Sequence, residues 1–73
     1  MEDHRILLVD DDLNLLEMLL SIFTNAGYHN LLAASSGAAA LQLWREQKPD
    51  LIILDVMMPG MDGFAVLREI RRT

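Results

Sequence analysis

Two four-residue apolar runs, each closing on a carboxylate, constrain this chain more than any other feature. Ile6-Leu7-Leu8-Val9 ends on Asp10-Asp11-Asp12, and Leu51-Ile52-Ile53-Leu54 ends on Asp55, about 45 residues after Asp10. Short β-branched and leucine-rich runs without polar alternation, bounded by turn residues, are the pattern of strands buried on both faces of a sheet. Such strands need helices above and below them, and the intervening sequence supplies candidates. From Leu13 to Ala26 the apolar spacing is helical. Leu15, Leu19, Ile22 and Phe23 share one face, the expected core side, and Leu13, Leu16 and Leu20 form a second stripe beside it. Asp12 reads as the cap of this helix and Gly27 as its stop.

Tyr28-His29-Asn30 is a turn, and Leu31-Leu32-Ala33-Ala34 is a third short strand. Ser35-Ser36-Gly37 supplies the next cap, and the alanine-rich stretch Ala38 to Gln47 favours helix. Its expected apolar face is Ala40, Leu41 and Trp44, with Leu43 alongside. Lys48-Pro49-Asp50 breaks that helix and returns the chain to the strand at Leu51. After the turn that follows Asp55, Asp62 can cap a last helix from about Gly63, with Phe64, Leu67 and Ile70 at helical spacing. Arg68, Arg71 and Arg72 fall near its C-terminal end, where positive charge is favourable. The order is β-α-β-α-β-α, which implies right-handed crossovers and a parallel sheet.

Seventy-three residues allow one small domain, spanning 1–73. A domain of this size buries only about 60% of the surface its unfolded chain exposes, so little stability is in reserve. The formal charge of −5 argues against a basic nucleic-acid face. With no cysteine, neither disulfides nor a thiolate metal site can stabilise the fold. No apolar segment is long enough to cross a bilayer and nothing resembles a signal peptide, so the expected compartment is the cytoplasm.

The run Leu54-Asp55-Val56-Met57-Met58-Pro59-Gly60-Met61-Asp62-Gly63 closely resembles the phosphoacceptor segment of response-regulator receiver domains. The Asp10-Asp11 pair after the first strand resembles that family's acidic pair. The resemblance implies a flavodoxin-like, three-layer α/β fold with parallel strand order 2-1-3. It covers the whole chain but only about the first three-fifths of the family's usual length, so the chain is expected to be a receiver truncated after the third helix. Neighbouring strands lie about 4.8 Å apart, and that strand order would bring Asp10, Asp11 and Asp55 together at one sheet edge. Three carboxylates there repel unless a cation balances them. A hard divalent ion with oxygen ligands and retained waters, magnesium above all, suits such a donor set.

By resemblance, Asp55 is similar to the phosphoacceptor, which takes its phosphoryl group from a partner histidine kinase. Asp11 resembles the direct magnesium ligand, and Asp10 its companion acting through a metal-bound water. The Met57 backbone carbonyl is implied as a further ligand, and Pro59, Asp62 and Gly63 match the loop and cap that follow. The family's fourth strand supplies a Ser or Thr and its fifth a Lys, both contacting the phosphoryl group, and neither has a matching position here. The implied activity is that of a signalling switch rather than an enzyme. An alternative of another class is a truncated or engineered fragment without signalling activity. Such a fragment would self-associate through the Leu51–Leu54 edge and exposed Leu16, Leu20 and Leu43.

Overall fold

A computed structural model describes residues 4–55 and 63–72. Within them run β1 (Ile6–Val9), α1 (Leu13–Asn25), β2 (Leu31–Ala34), α2 (Gly37–Gln47), β3 (Leu51–Leu54) and α3 (Gly63–Arg72). The strands form one parallel sheet in the order β2-β1-β3. Ile6 is level with Leu31 on one side and Leu51 on the other, and Val9 with Ala34 and Leu54.

The central position of β1 explains its unbroken apolar sequence. All four of its residues are buried. Successive side chains of a strand point to opposite faces, so β1 feeds two cores. Leu7 and Val9 pack with Ala34, Ala40, Leu41 and Val66 beneath α2 and α3, whereas Ile6 and Leu8 pack with Leu16 of α1 on the other face. The result is three layers, with α1 on one side of the sheet and α2 and α3 on the other.

The core face of α1 differs from the expected one. Leu16 is 6% exposed, and Leu19, Leu20 and Phe23 pack around it. Leu15 and Ile22 are exposed, together with Leu13 and Met18. Residues 16, 19/20 and 23 obey helical spacing as well as 15, 19 and 22 do. A helix that is apolar on both stripes leaves the choice to the angle at which it meets the sheet. Leu16 and Leu20 are therefore core residues and not contacts for a partner, and Leu43 likewise packs against the core under α2. α3 shows the same kind of shift. Val66 is fully buried and Ile70 packs on the core, while Phe64 is 65% exposed and Leu67 is also exposed.

The helix ends follow local chemistry. The Asp12 carboxylate accepts hydrogen bonds from the Asn14 and Leu15 amides at 3.0 and 3.2 Å, and Ser36 Oγ accepts from the Ala39 amide. Gly27 follows α1 at φ +102°, a conformation open to glycine and strained for other residues. The proposed Asp62 cap lies outside the described residues. Asp12→Ala removes the cap of α1, the helix that covers Ile6 and Leu8 of β1. We expect it to lower stability by about 1 kcal/mol, read as a lower denaturant midpoint at unchanged slope.

Candidate functional site

The chain folds back on itself at β1. α1 leaves β1 on one face of the sheet, and α3, which follows β3, lies on the opposite face. The ends of β1 and β3 thus border a crevice between diverging connections, the place where open α/β sheets hold their ligands. Asp10 and Asp55 stand just past those two strand ends. Their amides extend the ladder, Asp10 N–H donating to the Ala34 carbonyl at 3.1 Å and Asp55 N–H to the Val9 carbonyl at 3.0 Å. Backbone pairing, rather than side-chain packing, therefore fixes where both carboxylates begin.

Carboxylate oxygens of Asp10, Asp11 and Asp55 all lie within 4.8 Å of one another. Burial differs among them: Asp10 is 6% exposed, Asp55 is half-buried and Asp11 is exposed. The buried Asp10 carboxylate accepts a hydrogen bond from the Asp12 amide at 2.9 Å. This two-residue return is an Asx turn. It locks the Asp10 side chain and delivers Asp12 to its capping position, so one triplet performs two tasks. Asp12 faces α1, and its neighbours face the crevice.

The donor set suits a hard cation. Three carboxylates offer oxygen ligands only, and one side is open to solvent for retained waters. The chain's six Lys and Arg residues lie toward the other end of the strands: Arg5 before β1, Arg45 and Lys48 at the end of α2, and Arg68, Arg71 and Arg72 in the second half of α3. The Lys and Arg residues thus stand away from the crevice that Asp10, Asp11 and Asp55 border. Met57, Pro59 and Asp62, with roles implied on the loop after Asp55, lie outside the described residues. Gly63 is the buried first residue of α3.

Sequence reading missed an apolar wall beside the carboxylates. An open groove of about 550 Å³ runs from Asp10, Asp11 and Asp55 between α1 and β3, walled by Leu15, Leu19 and Ile53. The signal was the surplus of apolar residues on α1, which exceeds what a single buried stripe requires.

The family model for the response regulator receiver domain matches residues 6–73. The transcriptional regulatory protein AfsQ1 of Streptomyces coelicolor is 52% identical over 68 residues, covering 93% of this chain and 30% of AfsQ1. The chemotaxis protein CheY of Bacillus subtilis is 39% identical over 69 residues, covering 94% of this chain and 58% of CheY. Among solved structures, the response regulator protein TrrA from Thermotoga maritima, in complex with Mg(2+)-BeF, superposes with a TM-score of 0.89 at 40% identity. That match covers 94% of this chain and 59% of TrrA. The chain spans about a third of AfsQ1 and about three-fifths of CheY and TrrA.

Proposed function

Because the chain belongs to the response regulator receiver domain family, we propose that Asp55 is its phosphoacceptor, with Mg²⁺ at the acidic cluster and a histidine kinase as the donor. The observation that supports this most is the convergence of three carboxylates, from two strands far apart in sequence, within 4.8 Å. Asp55 is half-buried at the mouth of the crevice, so a donor can reach it from solvent. One of its carboxylate oxygens forms a bond to phosphorus while the phosphorus–nitrogen bond of a phosphohistidine breaks, and the departing imidazole takes up a proton. The product is an acyl phosphate on Asp55.

Asp10, Asp11 and Asp55 would hold the ion, which when bound offsets negative charge on the arriving phosphoryl group and orients it. The Asx turn keeps Asp10 in place before any ligand arrives, so little ordering remains to be done on binding. In this reading the chain is a switch component and not an enzyme, since Asp55 is itself modified. Among the described residues no helix is long and apolar enough to cross a membrane. The reading places the phosphotransfer in the cytoplasm.

Intact-mass measurement after incubation with acetyl phosphate and Mg²⁺ tests the proposal. Gain of one phosphoryl group is the expected result, and no gain by a folded chain would sink it. Chelation of the metal should reduce uptake to background. Asp11→Asn, which removes one charged oxygen ligand from an exposed position, should raise the Mg²⁺ concentration for half-maximal uptake by at least about tenfold, since even outer-shell partners are worth that much. An unchanged Mg²⁺ requirement would take Asp11 out of the metal site.

A further inference from the structure

We propose, on the reading of Asp10, Asp11 and Asp55 as an ion site, that Asp50 and Arg5 form a clasp that positions Asp55. The clasp fixes the level along β1 at which the Asp55 carboxylate meets the other two. It lies at the opposite end of the β1–β3 pair, roughly 16 Å from Asp55 at the rise of a β-strand.

Four hydrogen bonds build it. The Arg5 amide donates to the Asp50 carboxylate at 2.8 Å, and the Asp50 amide donates back to the Arg5 carbonyl at 2.8 Å. The Arg5 guanidinium donates to the backbone carbonyl of Gln47 at 2.7 Å and to its Oε1 at 3.2 Å. Alternation along the chain explains why a side chain is needed. Ile6 donates its amide toward β2, at the Asn30 carbonyl, so the Arg5 amide faces the β3 side. There the strand begins only at Leu51, too late to offer a ladder carbonyl, and the Asp50 carboxylate takes its place.

The corner that carries Asp50 is stiff. Lys48 closes α2 in the left-handed region at φ 48°, and its amide donates to the Trp44 carbonyl at 3.1 Å. Pro49 is buried, and its ring fixes its own φ. Asp50 therefore reaches Arg5 from a set direction. Both ends of the corner, Gln47 and Asp50, are tied to the residue that precedes β1.

β3 by itself is a weak guide to its own level. Leu51-Ile52-Ile53-Leu54 is apolar throughout, with Ile52 and Leu54 packed on one side of the sheet and Ile53 on the other. A slide along β1 exchanges one aliphatic side chain for another of similar size, so the pattern discriminates poorly between registers. The site is far less tolerant. A slide of one residue moves Asp55 by about 3.3 Å, against a cluster whose oxygens all lie within 4.8 Å of one another. At the site end the ladder closes on the Asp55 amide, which donates to the Val9 carbonyl at 3.0 Å. At the other end the bonds of Asp50 and Arg5 are charge-assisted, a kind that runs stronger than the neutral bonds of a ladder.

Three variants separate positioning from stability. Asp50→Ala opens the clasp, whereas Asp50→Asn keeps an oxygen for the Arg5 amide. Gly27→Ala strains a residue at φ +102° whose added methyl meets nothing within 4 Å. It destabilises the chain at the far end of α1 and touches neither clasp nor carboxylates. Two quantities are read, with denaturant midpoints showing that each variant is folded. One is the Mg²⁺ dissociation constant, from the Asp11 and Asp55 amide resonances on titration with the metal alone. The other is hydrogen exchange at the Ile53 and Asp55 amides.

Apparent affinity falls with the fraction of chains that hold Asp55 at its proper level. Asp50→Ala should raise the dissociation constant by about three- to tenfold, the scale of one lost hydrogen bond, and speed both exchange rates by a similar factor. Asp50→Asn and Gly27→Ala should bind Mg²⁺ as the parent does, although the midpoint of Gly27→Ala falls. Parent-like affinity in Asp50→Ala overturns the clasp. So does an equal loss in Gly27→Ala, or an Asp50→Asn as weak as Asp50→Ala. If the parent binds no Mg²⁺, the ion reading fails and exchange alone decides the clasp. Faster exchange in Asp50→Ala than in Gly27→Ala then supports it, and equal rates overturn it. Should Asp50→Ala not fold, Arg5→Met takes its place with the same expectations, since it keeps the aliphatic stem and deletes the bonds to Gln47.

Discussion

The Asp55→Asn variant is expected to take up no phosphoryl group from acetyl phosphate with Mg²⁺, under conditions where the parent chain is fully converted. An amide has nearly the shape of the carboxylate but no charged oxygen to attack phosphorus. The variant should also fold at least as well as the parent. Asp55 stands with Asp10 and Asp11 inside a 4.8 Å cluster, and removing one of three like charges relieves repulsion in the metal-free state. Its backbone place in the ladder, set by the Asp55 amide donating to the Val9 carbonyl, does not depend on the side chain. Two readouts therefore belong together. Loss of uptake with an unfolding midpoint at or above the parent's assigns the chemistry to Asp55. Uptake that survives the substitution would move the acceptor elsewhere, to Asp10 or Asp11.

The second large effect concerns the sheet itself. Leu8 is fully buried between Ala33 of β2 and Ile53 of β3, in the cluster closed by Leu16 of α1. Leu8→Ala deletes side-chain volume from the middle of that layer. The cost should be about 2–5 kcal/mol, the range for burying a leucine-sized cavity. Folded domains are stabilised by only about 5–15 kcal/mol, and a chain of 73 residues belongs toward the low end of that range. Denaturant unfolding should show a collapsed midpoint or no cooperative transition at all. Leu15→Ala, on the exposed stripe of α1, serves as the contrast and should shift the midpoint little. If the two variants were equally destabilised, the assignment of Leu16 rather than Leu15 to the core face of α1 would be wrong.

The candidate site was readable in the sequence because its logic is local. A strand buried on both faces reads as an unbroken apolar run, and the first residues past such strands are the ones a parallel sheet presents at its edge. That logic places the Asp10-Asp11-Asp12 triplet and Asp55 at the strand ends and gives Asp12 its capping role, whereas the choice of Asp10 and Asp11 as partners of Asp55 came from the resemblance to receiver domains. The hydrogen bond from the Asp12 amide to the Asp10 carboxylate was not foreseen, although two aspartates separated by one residue at a turn are its ordinary signal.

What the sequence by itself determined, then, is the order of elements, their boundaries within a residue or two, and the identity of the carboxylates. These follow from periodicity, caps and breakers, each of which acts over a few residues. The choice of face did not. In α1, Leu15 and Leu16 are adjacent, each heads a stripe of helical spacing, and only contact with β1 and β2 decided that Leu16 goes in. In α3, Val66 took the place expected of Phe64 and Leu67 because the helix docks beside α2 as well as on the sheet. The convergence of Asp55 with Asp10 and Asp11 likewise depends on β1 lying between β2 and β3, an adjacency created by two crossovers. Hydrophobic spacing says how much surface a helix must bury, and only the packed neighbours say which side of it is there to be buried.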